Sequence, residues 1–363
     1  MKTGILTYHR FINYGGLLQA YALKEALKKE GADAEVVDYR CAYLENVGNS
    51  DLKDKRISNK RKLWKLAQFA QIRIKERKFG KFISAYLGVS EPYLSIEELA
   101  KAADDYDIMI TGSDQVWNEK WPYDRAYFLD FECPDSKKTS YAASLGDGGV
   151  PKDKEAYYRK CLAPFRAISV REEADREIIK RITGRDDIVV ATDPVLLLEK
   201  DDWDKVAQRA SGRLKKRISH KKYVLIYTVN EPQVLIRRAE AYARKKHLSV
   251  VYLNPSPLHG GFWQFGTKIK DASPEDFVFA FKHAEAVFTN SFHGTAFSVI
   301  YEKKVFVETD SNGHHNKRAA DLLERLGAQD NYIKKYGREL RAVYSKMREE
   351  SLEYIRKGIL DRE

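Results

Sequence analysis

Only three cysteines stand in 363 residues, Cys41, Cys133 and Cys161. Their odd number and wide spacing exclude a disulfide framework and a zinc ribbon. No apolar run approaches the roughly 20 residues needed to span a bilayer. The opening stretch, Met1–Lys2–Thr3–Gly4–Ile5–Leu6–Thr7–Tyr8, has too little apolar character for a secretory signal and leads straight into polar residues. The loop Asn13–Tyr14–Gly15–Gly16 lacks both the full G-x-G-x-x-G spacing and a P-loop lysine, so neither dinucleotide nor nucleoside triphosphate is read from it. A cytoplasmic protein is the expectation.

What is present belongs to a folded enzyme. Apolar residues make up 43% and aromatics 12%, which argues against disorder and for well-filled cores or sugar-stacking surfaces. A chain of 363 residues exceeds the size at which one core keeps growing, so two domains are expected. The formal net charge of +11 is uneven. Asp51 to Phe82 holds twelve Lys/Arg and three Asp/Glu, and Lys205 to Lys222 holds eight Lys/Arg with no acid. These two segments carry +17 between them, leaving −6 for the rest of the chain. Neither interleaves aromatics for base stacking, and no nucleic-acid partner is expected. Solvated helical faces, or attraction to anionic substrates and to the inner face of the membrane, are the readings retained.

Periodicity sets out two α/β series. In the first, strand Gly4–Thr7, a helix carrying Leu17, Leu18, Leu23 and Leu27, and strand Ala34–Tyr39 form a β–α–β order, which implies a parallel sheet. Strands Tyr106–Thr111, Thr139–Ser144, Ala167–Val170 and Ile188–Ala191 follow, with a helix opened by Glu172 and Glu173. The second series runs through Tyr223–Tyr227, Leu248–Tyr252, Ala286–Thr289 and Val305–Val307, with helices between. The predicted architecture is α/β, two Rossmann-like domains facing across a cleft. Residues 1–200 form the N-terminal domain with a basic helical insertion near 51–87, residues 201–340 the C-terminal domain, and 341–363 a C-terminal helix.

In open parallel sheets ligands bind beyond the carboxyl ends of the strands, and the polar segments fall there. Asn13–Gly16 is either a ligand loop or a plain tight turn. Gly112–Asn118, with Ser113, Asp114 and Gln115, reads as a polar pocket floor, or as a helix start capped by Ser113 or Asp114. Arg171, at a strand end, either pairs with Glu172, Glu173 or Asp175 or offers its fork to a carboxylate or phosphate. His293 lies in the turn Asn290–Ser291–Phe292–His293–Gly294, where a strand passes into a helix start whose backbone amides favour an anion. It is either a core histidine or a proton-transfer group. His314 and His315, adjacent on a polar loop without a partnering cysteine or clustered carboxylates, are weak evidence for a metal, and an exposed loop is the preferred reading. Lys317 and Arg318 open a helix, where they hold an anion or merely solvate it.

These segments together resemble the polysaccharide pyruvyl transferase family. The matching stretches are Asn13–Leu23, Gly112–Asn118, Tyr141–Ser144, Ser169–Glu172, Thr192–Val195 and Ser291–Gly294, in the family's order. The resemblance implies a GT-B-like fold and transfer of a pyruvyl group from phosphoenolpyruvate to two hydroxyls of a sugar in a bacterial surface-polysaccharide precursor. The product is a cyclic ketal, with phosphate released. It also implies that His293 is the general acid/base, that Arg171 binds the donor, and that Lys317 and Arg318 supply the basic group downstream of the histidine. Asn13, Ser113, Asp114, Gln115 and Ser291 would line the substrate. No metal and no cofactor beyond phosphoenolpyruvate as donor are expected; the partners are that donor and a sugar or lipid-linked glycan acceptor. Two alternatives stand: a nucleotide-sugar glycosyltransferase of GT-B type, and a non-catalytic module that binds anionic glycans.

Overall fold

Strands buried along their whole length, such as Tyr223–Tyr227 and Ala286–Thr289, are what a parallel sheet covered on both faces requires. The computed structural model describes residues 1–40, 59–119, 124–229, 233–254, 266–308, 317–328 and 332–361, with the side chains of 59–69, Asp147 and Lys317 outside that description. The first part of the chain runs β1 (Lys2–Leu6), α1 (Tyr14–Lys29), β2 (Asp33–Tyr39), α2 (Asn59–Phe82), β3 (Val89–Tyr93), β4 (Ile108–Asp114), β5 (Lys138–Ala143), β6 (Ser169–Val170), α3 (Glu173–Thr183) and β7 (Val189–Val190). It continues with β8 (Tyr223–Tyr227), α4 (Gln233–Lys246), β9 (Ser249–Leu253), β10 (Thr267–Ile269), α5 (Pro274–Lys282) and β11 (Ala286–Thr289). Then come α6 (Phe292–Ile300), β12 (Lys304–Val307), α7 (Lys317–Arg325), β13 (Tyr332–Ile333) and α8 (Arg338–Glu353).

Two sheets result. The first has the order β3-β2-β1-β4-β5-β6-β7 and is parallel throughout. This is a doubly wound order, with its switch point between β1 and β4. The second has the order β10-β9-β8-β11-β12-β13, parallel except for the edge strand β13. The short edge strands β3, β10 and β13 are absent from the sequence reading because their apolar runs are short. β3 also contains Pro92, which an edge tolerates because its missing N–H breaks no ladder. Helix α1 buries Leu17, Leu18, Leu23 and Leu27 along one face and ends before Gly31, whose φ of 89° a side chain would resist.

The chain divides into two compact units. One comprises residues 1–54, 83–198 and 345–363, the other 55–82 and 199–344. The core of the first gathers around Trp117, fully buried, with Phe128 stacked on it and Phe165 edge-on. In the second, Phe297 of α6 meets Trp203, Phe277 and Phe281, which seats that helix firmly.

Helix α2 departs from the sequence reading. It was expected as an insertion of the N-terminal domain, yet it clusters with the second unit. The cause is specific anchoring. Gln71 donates to the Lys270 carbonyl at 2.8 Å, Lys78 pairs with Asp271 at 3.0 Å, and Lys75 donates to Asn254. These contacts engage loops at the ends of β9 and β10, so sequence neighbourhood does not decide where the helix packs. Among the described residues no helix is long and apolar enough to cross a membrane, and Cys133 and Cys161 are buried and unbridged.

The C-terminal segment returns to the first unit. The Thr192 amide donates to Ser351 Oγ at 2.9 Å, Arg348 Nε to the Leu197 carbonyl at 2.7 Å, and Tyr354 Oη to the Ser140 carbonyl at 2.9 Å. Replacing Ser351, only 2% exposed, by Ala leaves the Thr192 amide buried without its acceptor. The expected cost is about 1–3 kcal/mol in the urea unfolding of the first unit. An unchanged transition would mean that this segment does not contribute to its stability.

Candidate active site

The carboxyl edge of the first sheet is built from three loops. After β1, Asn13 stands in extended conformation and its Oδ1 accepts the Gly16 amide at 3.2 Å, capping α1. Its side chain therefore does the work of a helix cap. Gly16 has no Cβ, and one placed there would lie 3.3 Å from Asp114 Oδ2. The loops after β1 and β4 thus meet at the switch point.

Asp114 ends β4 with φ of 80°, a conformation unusual outside glycine. Its carbonyl accepts from the Val116 amide at 2.8 Å and the Ser144 amide at 3.0 Å, and its Oδ1 accepts from the Gln115 amide at 2.8 Å. These bonds over-determine the turn and hold it open to strain of the kind that collects at functional sites. The strand runs through Ser113 and Asp114 into this turn, and no helix starts there, so the capped-helix alternative for the segment is corrected. Gln115 Oε1 accepts from Asn118 Nδ2 at 2.7 Å. Ser113 is fully buried, and its carbonyl accepts from Thr7 Oγ1 at 2.8 Å.

Arg171 sits next along the edge, 3% exposed. Its Nε donates to Glu172 Oε1 and one Nη to Asp193 Oδ2, each at 2.9 Å. Burial penalises the guanidinium charge, but Glu172, Asp193 and Asp114 outweigh that and bind its proton more tightly than usual. Of the pairings open from sequence, that with Glu172 forms, and Asp193 adds to it. Asp193 escaped the sequence reading as a functional residue, because its link to Arg171 spans 22 positions. The signal that points to it is the Asp193–Pro194 turn at a strand end: Asp193 Oδ1 also caps that turn by accepting the Val195 amide at 3.1 Å.

Behind the pair lies Asp175 of α3, 3% exposed. The Leu145 amide donates to its Oδ2 at 2.9 Å. Burial first, then the charge of Glu172 and a hydrogen bond with it, push the Asp175 carboxyl up to about 9. The Asp175–Glu172 pair therefore holds a proton more tightly than a free carboxylate does.

In the second unit, β11 leads into α6 through Asn290 and Ser291. Ser291 caps the helix through the Gly294 amide at 3.4 Å, its own amide donates to Thr289 Oγ1 at 3.0 Å, and Asn290 Oδ1 accepts the Val229 amide at 2.8 Å. His293 therefore lies in the first turn of the helix, 8% exposed, with its ring edge-on to Phe292 at 5.1 Å. Tyr227 stands beneath this turn. Burial raises its phenol to about 12, against the opposing hydrogen bond with Ser291. Helix α7, which opens with Lys317 and the half-buried Arg318, packs against α6. The side chain of Lys317, and His314 and His315 altogether, lie outside the described residues. Among the described residues no cluster of His, Cys, Asp and Glu has a metal-holding arrangement.

The structure thus brings Asn13, Ser113, Asp114, Gln115 and Arg171 to one sheet edge in the first unit, and Ser291, His293 and the helix bearing Arg318 to one corner of the second. Two consequences can be measured. Because Asp175 has a folded pKa above its unfolded value, its favourable contribution is full below the ordinary carboxylate range and is lost as pH rises towards 9. Asp175→Asn should flatten that loss, so urea midpoints at pH 5 and pH 8.5 should lie closer together in the variant than in the parent. Equal differences between the two midpoints in variant and parent would refute the raised Asp175 pKa. Gly294→Ala places a Cβ 2.2 Å from Thr289 Oγ1 and 3.1 Å from Tyr227. It should cost about 1–3 kcal/mol by overpacking the turn, read as a lower melting temperature, and full stability would show that the turn relaxes.

Comparison with known proteins fits this geometry. The model of the family described as polysaccharide pyruvyl transferase matches residues 13–312. Among solved structures, the UDP-GlcNAc 2-epimerase from Methanocaldococcus jannaschii aligns with a TM-score of 0.52 at 10% identity, covering 96% of this chain and 93% of that one. The UDP-GlcNAc 2-epimerase from Neisseria meningitidis, solved bound to UDP-GlcNAc, aligns with a TM-score of 0.51 at 13% identity, covering 99% and 100%. At such identities the likeness is one of fold, and that fold is GT-B-like. A search of curated protein sequences returns no match. Carried by a match that spans both the Arg171 edge and the His293 turn, the chain belongs to the polysaccharide pyruvyl transferase family.

Proposed function

We propose that this transferase moves the pyruvyl group of phosphoenolpyruvate onto two hydroxyls of one sugar in a bacterial surface-polysaccharide precursor. The family match across residues 13–312 carries the reading. The His293 turn supports its chemistry.

The reaction needs a proton delivered and protons removed, without change of oxidation state. Protonation of the methylene carbon makes the methyl group and leaves the neighbouring carbon oxocarbenium-like. One sugar hydroxyl adds to that carbon and gives up its proton. The second hydroxyl then forms the other C–O bond as the bond to phosphate breaks, phosphate leaving with the electron pair and the remaining proton. An imidazole exchanges protons near neutrality, which suits His293 to both directions of transfer. Its place in the first turn of α6 adds the positive end of a helix dipole, favourable to an anionic donor.

In this reading Arg171, Arg318 and Lys317 are the donor-side cations. Glu172 and Asp193 already neutralise Arg171, so its part is to orient rather than to supply net charge. Asn13, Ser113, Asp114 and Gln115 in the first unit, and Ser291 in the second, are the proposed substrate-binding residues of each. The basic segments fit work at the cytoplasmic face of the membrane; much of the first lies outside the described residues.

Incubation with phosphoenolpyruvate and nitrophenyl sugars or lipid-linked glycans should release phosphate and yield a ketal. His293→Ala should lower kcat by about 10²–10⁴ with an unchanged melting temperature. Loss of the fold in that variant would assign His293 to the core instead, and turnover with a nucleotide sugar in place of phosphoenolpyruvate would overturn the reaction.

A further inference from the structure

The second sheet bears a pocket at the end where none of the groups discussed above lie. Strands β8, β9, β10 and β11 run parallel, and His293 follows the carboxyl end of β11. The pocket lies at the amino ends of β8, β9 and β10, the opposite end of the same sheet. Its volume is about 540 Å³, of the size that takes a small molecule. One wall is the last part of α4, with Glu240, Ala243 and Arg244. Leu248 and Val250 make an apolar floor, and Lys221 and Gly266 stand on the far side. The hollow forms because β10 is an edge strand of only three residues and is preceded by glycine. Gly266 has φ of 110°, and a Cβ there would lie 2.8 Å from the Val250 carbonyl, so only glycine lets the backbone approach β9 so closely.

The polar groups around this floor are few and held in place. Lys221 Nζ donates to Thr267 Oγ1 at 3.0 Å, which spends one of its three N–H donors and fixes the ammonium at the rim. Arg244 projects from the exposed last turn of α4. Among the described residues, neither cation forms an ion pair with a carboxylate. Glu240 Oε1 accepts from Tyr252 Oη at 2.5 Å. Burial and the neighbouring Glu240 push the Tyr252 phenol up, so it keeps its proton and aims that carboxylate. Two cations thus line the pocket against one carboxylate, one oxygen of which already has a donor.

We propose that this pocket binds a small amphipathic anion. Lys221 and Arg244 hold its acidic head by charge-assisted hydrogen bonds. Its apolar body covers Ala243, Leu248 and Val250, and a hydroxyl or N–H on it donates to Glu240. An apolar floor with a few convergent polar groups is the usual make-up of a small-molecule site. The site is separate from the His293 turn and does not rest on the pyruvyl-transfer reading.

The test uses the full-length protein and 1-anilinonaphthalene-8-sulfonate, a probe that joins a sulfonate, aromatic rings and one N–H. The probe should bind the parent with a saturable rise in fluorescence, and more weakly as salt is added. Lys221→Gln and Arg244→Gln should each weaken it about tenfold. Arg238→Gln, exposed on α4 but outside the pocket, should bind like the parent. Naphthalene-1-sulfonate should displace the probe at lower concentration than inorganic sulfate, because only the former buries apolar surface. No saturable binding by the parent would overturn the site. So would unchanged affinity in both Lys221→Gln and Arg244→Gln at preserved melting temperature, or displacement by sulfate as readily as by naphthalene-1-sulfonate. No turnover enters this measurement, so a failure of pyruvyl transfer leaves its result standing, and the reverse holds equally.

Discussion

The buried pair between Arg171 and Asp193 is the constraint on which the first unit's ligand edge depends. Both side chains are withdrawn from water, at 3% and 0% exposure, so their charges depend on this pairing together with Glu172, which also meets Arg171. Removing one partner of such a pair typically costs about 3–5 kcal/mol, because the survivor stays buried and uncompensated. The pair also carries the local architecture. Asp193 caps the turn after β7, the neighbouring Thr192 receives Tyr141 of β5 on its carbonyl and gives its amide to Ser351, and Arg171 reaches back to Glu172 at the head of α3. Three strand ends and the C-terminal segment are thereby registered around one guanidinium. A lysine could replace the charge but not the fork.

This arrangement divides the roles along the edge. The acidic surroundings of Arg171 make it an organiser. In the second unit the design differs again. The order of the His293 turn comes from hydroxyl and amide hydrogen bonds and from Phe297, which anchors the helix in an aromatic core.

The sequence made local features legible. The strand Ala286–Thr289 and the polar turn after it could be read because an apolar run and its capping residues are contiguous, and the structure keeps both. Strand β8 was readable for the same reason. The edge strands were not, since β13 has only two residues and β3 alternates weakly. Helix α2 shows a different limit. Its helical character follows from composition, but its allegiance follows from Lys75, Lys78 and Gln71 meeting the distant Asn254, Asp271 and Lys270. The position of Arg171 at a strand end is legible in the sequence, but its partner Asp193 is not, since 22 positions separate them.

By itself the sequence determined the α/β class, the two series of strands, the family, and the turn that carries His293. Each of these rests on residues close together in the chain, where apolar periodicity, caps and short motifs act over a few positions. Tertiary structure alone decided which carboxylates surround Arg171, that the Asp175 carboxyl is pushed above its ordinary range, and where α2 packs. Those outcomes depend on charges brought from water into contact by the ordering of strands in a sheet, and that ordering is not proximity in sequence.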